Sequence, residues 1–103
     1  MKHFDKAYFK EFKFTSLQIK KNLENAMKDL TIAQEVDILD VKFTYAYSAL
    51  IKSGIALLSY HQIKAKSVSG HHVMILSQLG QILNDETVSD VGNVMRSKRN
   101  TDF

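Results

Sequence analysis

A chain of 103 residues, 45% of them hydrophobic, fits one compact domain with a small core. The absence of cysteine excludes a disulfide framework and a thiolate zinc site. The N-terminal run MKHFDKAYFKEF lacks the continuous apolar core of a secretory signal, so a cytoplasmic protein is expected. The net charge of +3 is uneven: residues 1–28 hold seven lysines against three acids, 29–90 four lysines against seven acids, and 91–103 three basic residues against Asp102. Two basic ends around an acidic middle permit a nucleic-acid or phosphate partner without requiring one, because solvated lysines on helix faces give the same pattern.

The chain has no proline, four glycines and no useful stretch of strand-like alternation. Its apolar spacing is helical, which predicts an all-α domain. Phe4, Tyr8 and Phe12 recur every four residues, so 1–14 is expected to form a short aromatic helix that covers the bundle. Thr15, with Gln18 three residues on, fits a capping box that opens the first bundle helix, with Phe14 placed as its staple. Ile19, Leu23, Ala26, Leu30 and Ala33 form the predicted inner stripe of that helix, leaving Lys20, Lys21, Glu24, Lys28 and Asp29 on its wet face.

The next helix, Asp40–His61, is apolar nearly all round, as expected of the central helix of a bundle. Lys42, Lys52 and the hydroxyls of Tyr45, Tyr47 and Tyr60 argue against a membrane span. Asp37 or Asp40 is the expected cap, and the short link before it predicts antiparallel packing on the first helix. Core packing is expected for at least one of Tyr45 and Tyr47. Residues 64–70 read as a loop, after which Ser67 or Ser69 caps a third helix, His71–Leu83, with Val73, Ile75, Leu76, Leu79 and Ile82 inward. A turn at Asn84–Thr87 leads to a fourth helix, capped by Asp85 or Thr87, whose inner face is expected to hold Val88, Val91, Val94 or Met95, and Phe103. No stop signal precedes Phe103, so a chain boundary or a frayed end is expected there.

Two stretches could carry chemistry. In Met95–Phe103, Arg96, Arg99, Asn100 and Phe103 share a helix face, and two guanidiniums on one face call for an anion between them. That anion could be a phosphate, or a carboxylate such as Asp90 or Asp102. At Ser69-Gly70-His71-His72 a helix start offers free N–H groups to a phosphate, while capping and surface histidines explain the same residues. The adjacent histidines are expected to diverge, and no HxxxH or HExxH spacing accompanies them, so no metal site is predicted. His3 and His61 are isolated. No Gly-rich phosphate loop, serine elbow or catalytic carboxylate pair occurs, so the residues alone predict neither an enzyme nor a cofactor.

Four pieces in this order resemble the HEPN superfamily of helical-bundle proteins: Asp29-Leu30 with Ala33, the run Tyr45–Leu50, Ser69–His72, and Arg96–Phe103, which resembles the R-x-x-R-N motif followed by an aromatic. The resemblance spans roughly residues 16–103. It implies an antiparallel up-and-down four-helix bundle that dimerises through the motif-bearing helices. It also implies a nucleotidyltransferase partner, often in a toxin–antitoxin or defence pair. Many members are metal-independent ribonucleases, in which Arg99 and Asn100 would take the motif positions and a histidine would follow Arg99 by four to six. That position falls after Phe103, so no catalytic residue is assigned to this chain. The expected function is binding of nucleotide, RNA or a nucleotidyltransferase partner through Arg96, Arg99, Asn100, His71 and His72. The alternatives are a ribonuclease completed beyond residue 103 and a purely structural homodimer.

Overall fold

The computed structural model describes residues 4–102, with side chains as far as residue 98. The elements follow the order β1 (Phe9–Glu11), α1 (Ser16–Glu35), α2 (Leu39–Tyr60), β2 (Ile63–Ala65), α3 (His71–Ile82) and α4 (Glu86–Asp102). The four helices lie where the apolar spacing places them. No helix among the described residues is long and apolar enough to cross a membrane.

The N-terminal segment departs from expectation. It forms a turn and a strand, with the Asp5 carboxylate accepting from the Ala7 N–H and the Asp5 carbonyl from Tyr8 and Phe9. Strand β1 then pairs antiparallel with β2, Phe9 opposite Ala65 and Glu11 opposite Ile63. Phe9 and Ile63 are almost wholly buried, so this ribbon is sealed to the core by one large side chain from each strand. The four-residue aromatic spacing suggested a helix because the partner strand lies more than fifty residues away. Part of the expected 64–70 loop is that partner.

Helix α1 opens with the expected capping box: the Thr15 hydroxyl accepts from Gln18 N–H at 3.1 Å and Gln18 accepts from Thr15 N–H at 2.9 Å. Its inner stripe is shifted from the expected one. Ala26, Asp29 and Ala33 are buried, whereas Leu23 and Leu30 stand 54% and 43% exposed. The cause is that α1 packs substantially on α2 alone among the helices, so one narrow contact line of small residues fixes its rotation. Asp29, expected on the wet face, is turned inward by two partners on α2: Ser48 Oγ donates to it at 2.6 Å and Lys52 Nζ at 2.7 Å. The register of Asp29 with Ser48 and Lys52, and of Ala33 with Lys42, makes α1 and α2 antiparallel as predicted.

Helix α2 starts at an Ile38 cap with no side-chain hydrogen bond, not at Asp37 or Asp40. Asp40 sits in the first turn, where its charge complements the helix dipole. Helix α3 starts after Gly70, whose φ of 80° reverses the chain, so neither Ser67 nor Ser69 is its cap. Asp85 caps α4 as expected, accepting from Thr87 N–H at 2.9 Å. On α4, Val91 and Val94 are exposed, and the buried position between them is Gly92. A Cβ on Gly92 would lie 2.5 Å from a Leu76 methyl, so α3 and α4 touch where α4 has no side chain. Phe103 lies outside the described residues.

The helices do not alternate strictly up and down. Tyr47 meets His72 and Gly54 meets Ile75, so α3 runs in the same sense as α2. The ribbon strand β2 and residues 66–70 carry the chain back along α2 before α3 begins. The core, centred on Phe9, Tyr47, Ile51, Leu58, Ile63, Ile75 and Leu76, joins ribbon, α2 and α3.

Candidate functional site

The close contact of Gly92 with Leu76 sets the register of two antiparallel helices. One turn further along α4 is Arg96, and one turn back along α3 is His72. The register thus brings Arg96 to the first turn of α3, where a cavity of about 420 Å³ is lined by Arg96, His71, His72, Gly70, Ser67 and Ser69 among others. Three of the five residues singled out from the sequence meet here. The other two, Arg99 and Asn100, belong to α4, and their side chains lie outside the described residues.

Each histidine is held by a different element. His71 Nδ1 lies 2.8 Å from the Val68 carbonyl. A carbonyl only accepts, so Nδ1 carries the proton and Nε2 of the neutral ring is left as an acceptor. His72 Nδ1 lies 3.2 Å from the hydroxyl of Tyr47, a buried residue of α2. The two rings do not diverge as expected. Their centroids are 4.5 Å apart in an edge contact, and both line the same cavity. Tyr47 is the tyrosine that packs in the core, and its hydroxyl finds the partner that burial demands.

Charge around this cavity has one sign. Arg96 is permanently cationic, the start of α3 is the positive end of a helix dipole, and no carboxylate is among the lining residues. The Nε of Arg96 is buried without an acceptor among the described residues. A larger cavity, about 670 Å³, lies at the opposite end of the α3–α4 pair and has the opposite character, with Asp85, Glu86 and Asp90 on its wall and no basic residue. Among the described residues no group of three or more histidines and acids is placed to hold a metal ion.

The Asp29–Ser48–Lys52 cluster escaped the sequence reading. The Lys52 hydrogen bond, then that of Ser48, holds the Asp29 carboxyl below the usual aspartate range, against the opposing effect of burial. The signal available was the i, i+4 spacing of Ser48 and Lys52 opposite an acid in an otherwise small-residue stripe. The residues that carried the family resemblance meet in space: Asp29 bonds Ser48, and Tyr47 bonds His72.

Comparisons of the chain with protein-family models, with curated proteins and with solved structures return no match.

Proposed function

We propose that this chain is a phosphate-binding helical domain, HEPN-like in the sense of the resemblance above, that holds single-stranded RNA or a nucleotide at the start of α3. The observation that carries this reading is the convergence of Arg96, His71 and His72 on one cavity that no carboxylate lines. In this reading the Arg96 guanidinium presents its fork of N–H donors to two phosphate oxygens, and backbone N–H groups at the α3 start bind a third. Tyr47 and the Val68 carbonyl act behind the histidines, fixing their ring orientations. Arg99 and Asn100, one turn further along α4, extend the same basic face toward the next phosphate. The acidic cavity at the other end of the helix pair repels the same ligand and gives the surface a polarity.

The test is a titration with a short single-stranded RNA at two salt concentrations. Micromolar or tighter binding that weakens with salt is expected, because phosphate contacts release counterions. Arg96→Ala should weaken it at least about tenfold, the size of one charged hydrogen bond of roughly 1.5–3 kcal/mol. The pair His71→Ala/His72→Ala should weaken it as well. No binding by the folded chain at low salt, or equal binding by Arg96→Ala, would overturn the reading and direct attention to a protein carboxylate as the partner of Arg96.

A further inference from the structure

The hairpin of α1 and α2 leaves one of its sides uncovered. On α1, Leu23, Met27 and Leu30 follow one another at spacings of four and three, and they are 54%, 56% and 43% exposed. On α2, Ser53, Leu57 and Tyr60 share a helix face at spacings of four and three, with Tyr60 67% exposed. Lys42, which shares that face of α2, donates to the carbonyl of Gln34, one turn beyond Leu30. Both stripes therefore lie on the same side of the hairpin. The core and α3 lie on another, since Tyr47, Ile51, Gly54 and Leu58 form a separate face of α2.

We infer that this face binds a second copy of the chain, as an isologous dimer in which α1 crosses its mate antiparallel near Met27. Two features identify the occupant. The first is area. The chain exposes 6878 Å², against roughly 5900 Å² for a compact monomer of 11.8 kDa. The surplus of about 1000 Å² is close to the roughly 800 Å² each partner contributes to a standard interface. The second is charge. One end of the hairpin face is flanked by Lys13, Lys20 and Lys21, and the other by Glu35, Asp37 and Asp40, all exposed. A twofold axis at Met27 sets the basic end of one copy against the acidic end of the other, whereas a parallel arrangement would set like against like. The dimer completes a four-helix bundle from two hairpins, so the layer that α1 lacks within one chain is supplied by its mate. This interface is distinct from one through α4, where Val91 and Val94 form a narrower exposed pair.

The chain contains no cysteine, so single thiols report the interface cleanly. Sedimentation of the intact chain should give twice its monomer mass. Met27→Cys should form a covalent dimer under mild oxidation, because residues near the axis approach within the about 7 Å between Cα atoms that a disulfide spans. Val94→Cys should not. Lys20→Glu/Lys21→Glu should weaken the dimer about tenfold or more, and adding Glu35→Lys/Asp37→Lys should restore it. These sites are exposed, and unchanged helical circular dichroism would show that each variant folds. A folded chain that stays monomeric at about 100 µM overturns the inference. So does covalent dimer from Val94→Cys with none from Met27→Cys. Neither outcome bears on phosphate binding at Arg96, which is read separately.

Discussion

The two helical hairpins of this chain both bring their helices close through small residues, yet they end with different properties. In α1–α2 the buried residues include Ala26, Ala33, Ala49 and Ala56, and the rotation of α1 is fixed by the ion pair of Asp29 with Lys52 and the hydroxyl of Ser48. That contact line is narrow, so large apolar residues on its flank remain outside. In α3–α4 the contact is made by a glycine against a fully buried leucine, Gly92 on Leu76, and the next turn delivers a long cationic side chain to a helix start. A polar lock leaves a surface to be covered by something else. A steric lock sets a register, and the register builds the cavity.

The largest expected effect comes from removing the steric lock. Leu76→Ala, at a fully buried position, should cost about 2–5 kcal/mol in urea unfolding, a large part of the roughly 5–15 kcal/mol of a domain. A loss within the error of the measurement would mean that α4 is not held by this contact. Next in size is Gly92→Ala, expected to cost about 1–3 kcal/mol because the new methyl meets three Leu76 carbons. Alanine would otherwise gain up to about 1 kcal/mol over glycine in a helix. Stabilisation by this variant would contradict the proposed register, and relief in Gly92→Ala/Leu76→Val would sharpen it through non-additivity.

The polar lock is expected to be the weaker one. Lys52→Met should cost about 1–3 kcal/mol, toward the lower end because the Lys52 side chain is 42% exposed. Its pH signature is specific. Asp29 binds a proton less readily folded than unfolded, so its contribution is complete above the ordinary aspartate range near pH 4 and fades as pH falls through the lower folded value. Asp29→Asn should remove that acid-side decline from a pH series of unfolding midpoints. An unchanged decline would assign it to other carboxylates. The smallest effect is Thr15→Ala, about 1 kcal/mol, because it removes one side of the capping box at an exposed helix start.

Helix positions were legible because apolar periodicity and local caps are short-range signals. Thr15 with Gln18, the short link between α1 and α2, and Asp85 at the start of α4 all behave as read. What misled the reading was non-local. Phe9 pairs with a strand more than fifty residues away, and helical spacing around it carries no trace of that partner. Leu23 and Leu30 fit the period of a buried stripe, but a helix with a single neighbour buries only its narrowest line. Asp29 looked wet by residue type alone and is buried because two α2 side chains satisfy it. At the candidate site the sequence supplied Arg96, His71 and His72 as separate suggestions. Their meeting depends on the Gly92–Leu76 contact, and their support by Tyr47 on the direction of α3 relative to α2.

The central claim is that the start of α3 and Arg96 form one phosphate site. The most direct measurement is an amide and arginine-side-chain NMR titration with inorganic phosphate, followed by the same titration with a short RNA. The account predicts that shifts concentrate on residues 67–73 and on the Arg96 Nε–H, with little change at Asp85, Glu86 and Asp90. Shifts confined to exposed lysines such as Lys20 and Lys21, with residues 67–73 and Arg96 unmoved, would contradict it.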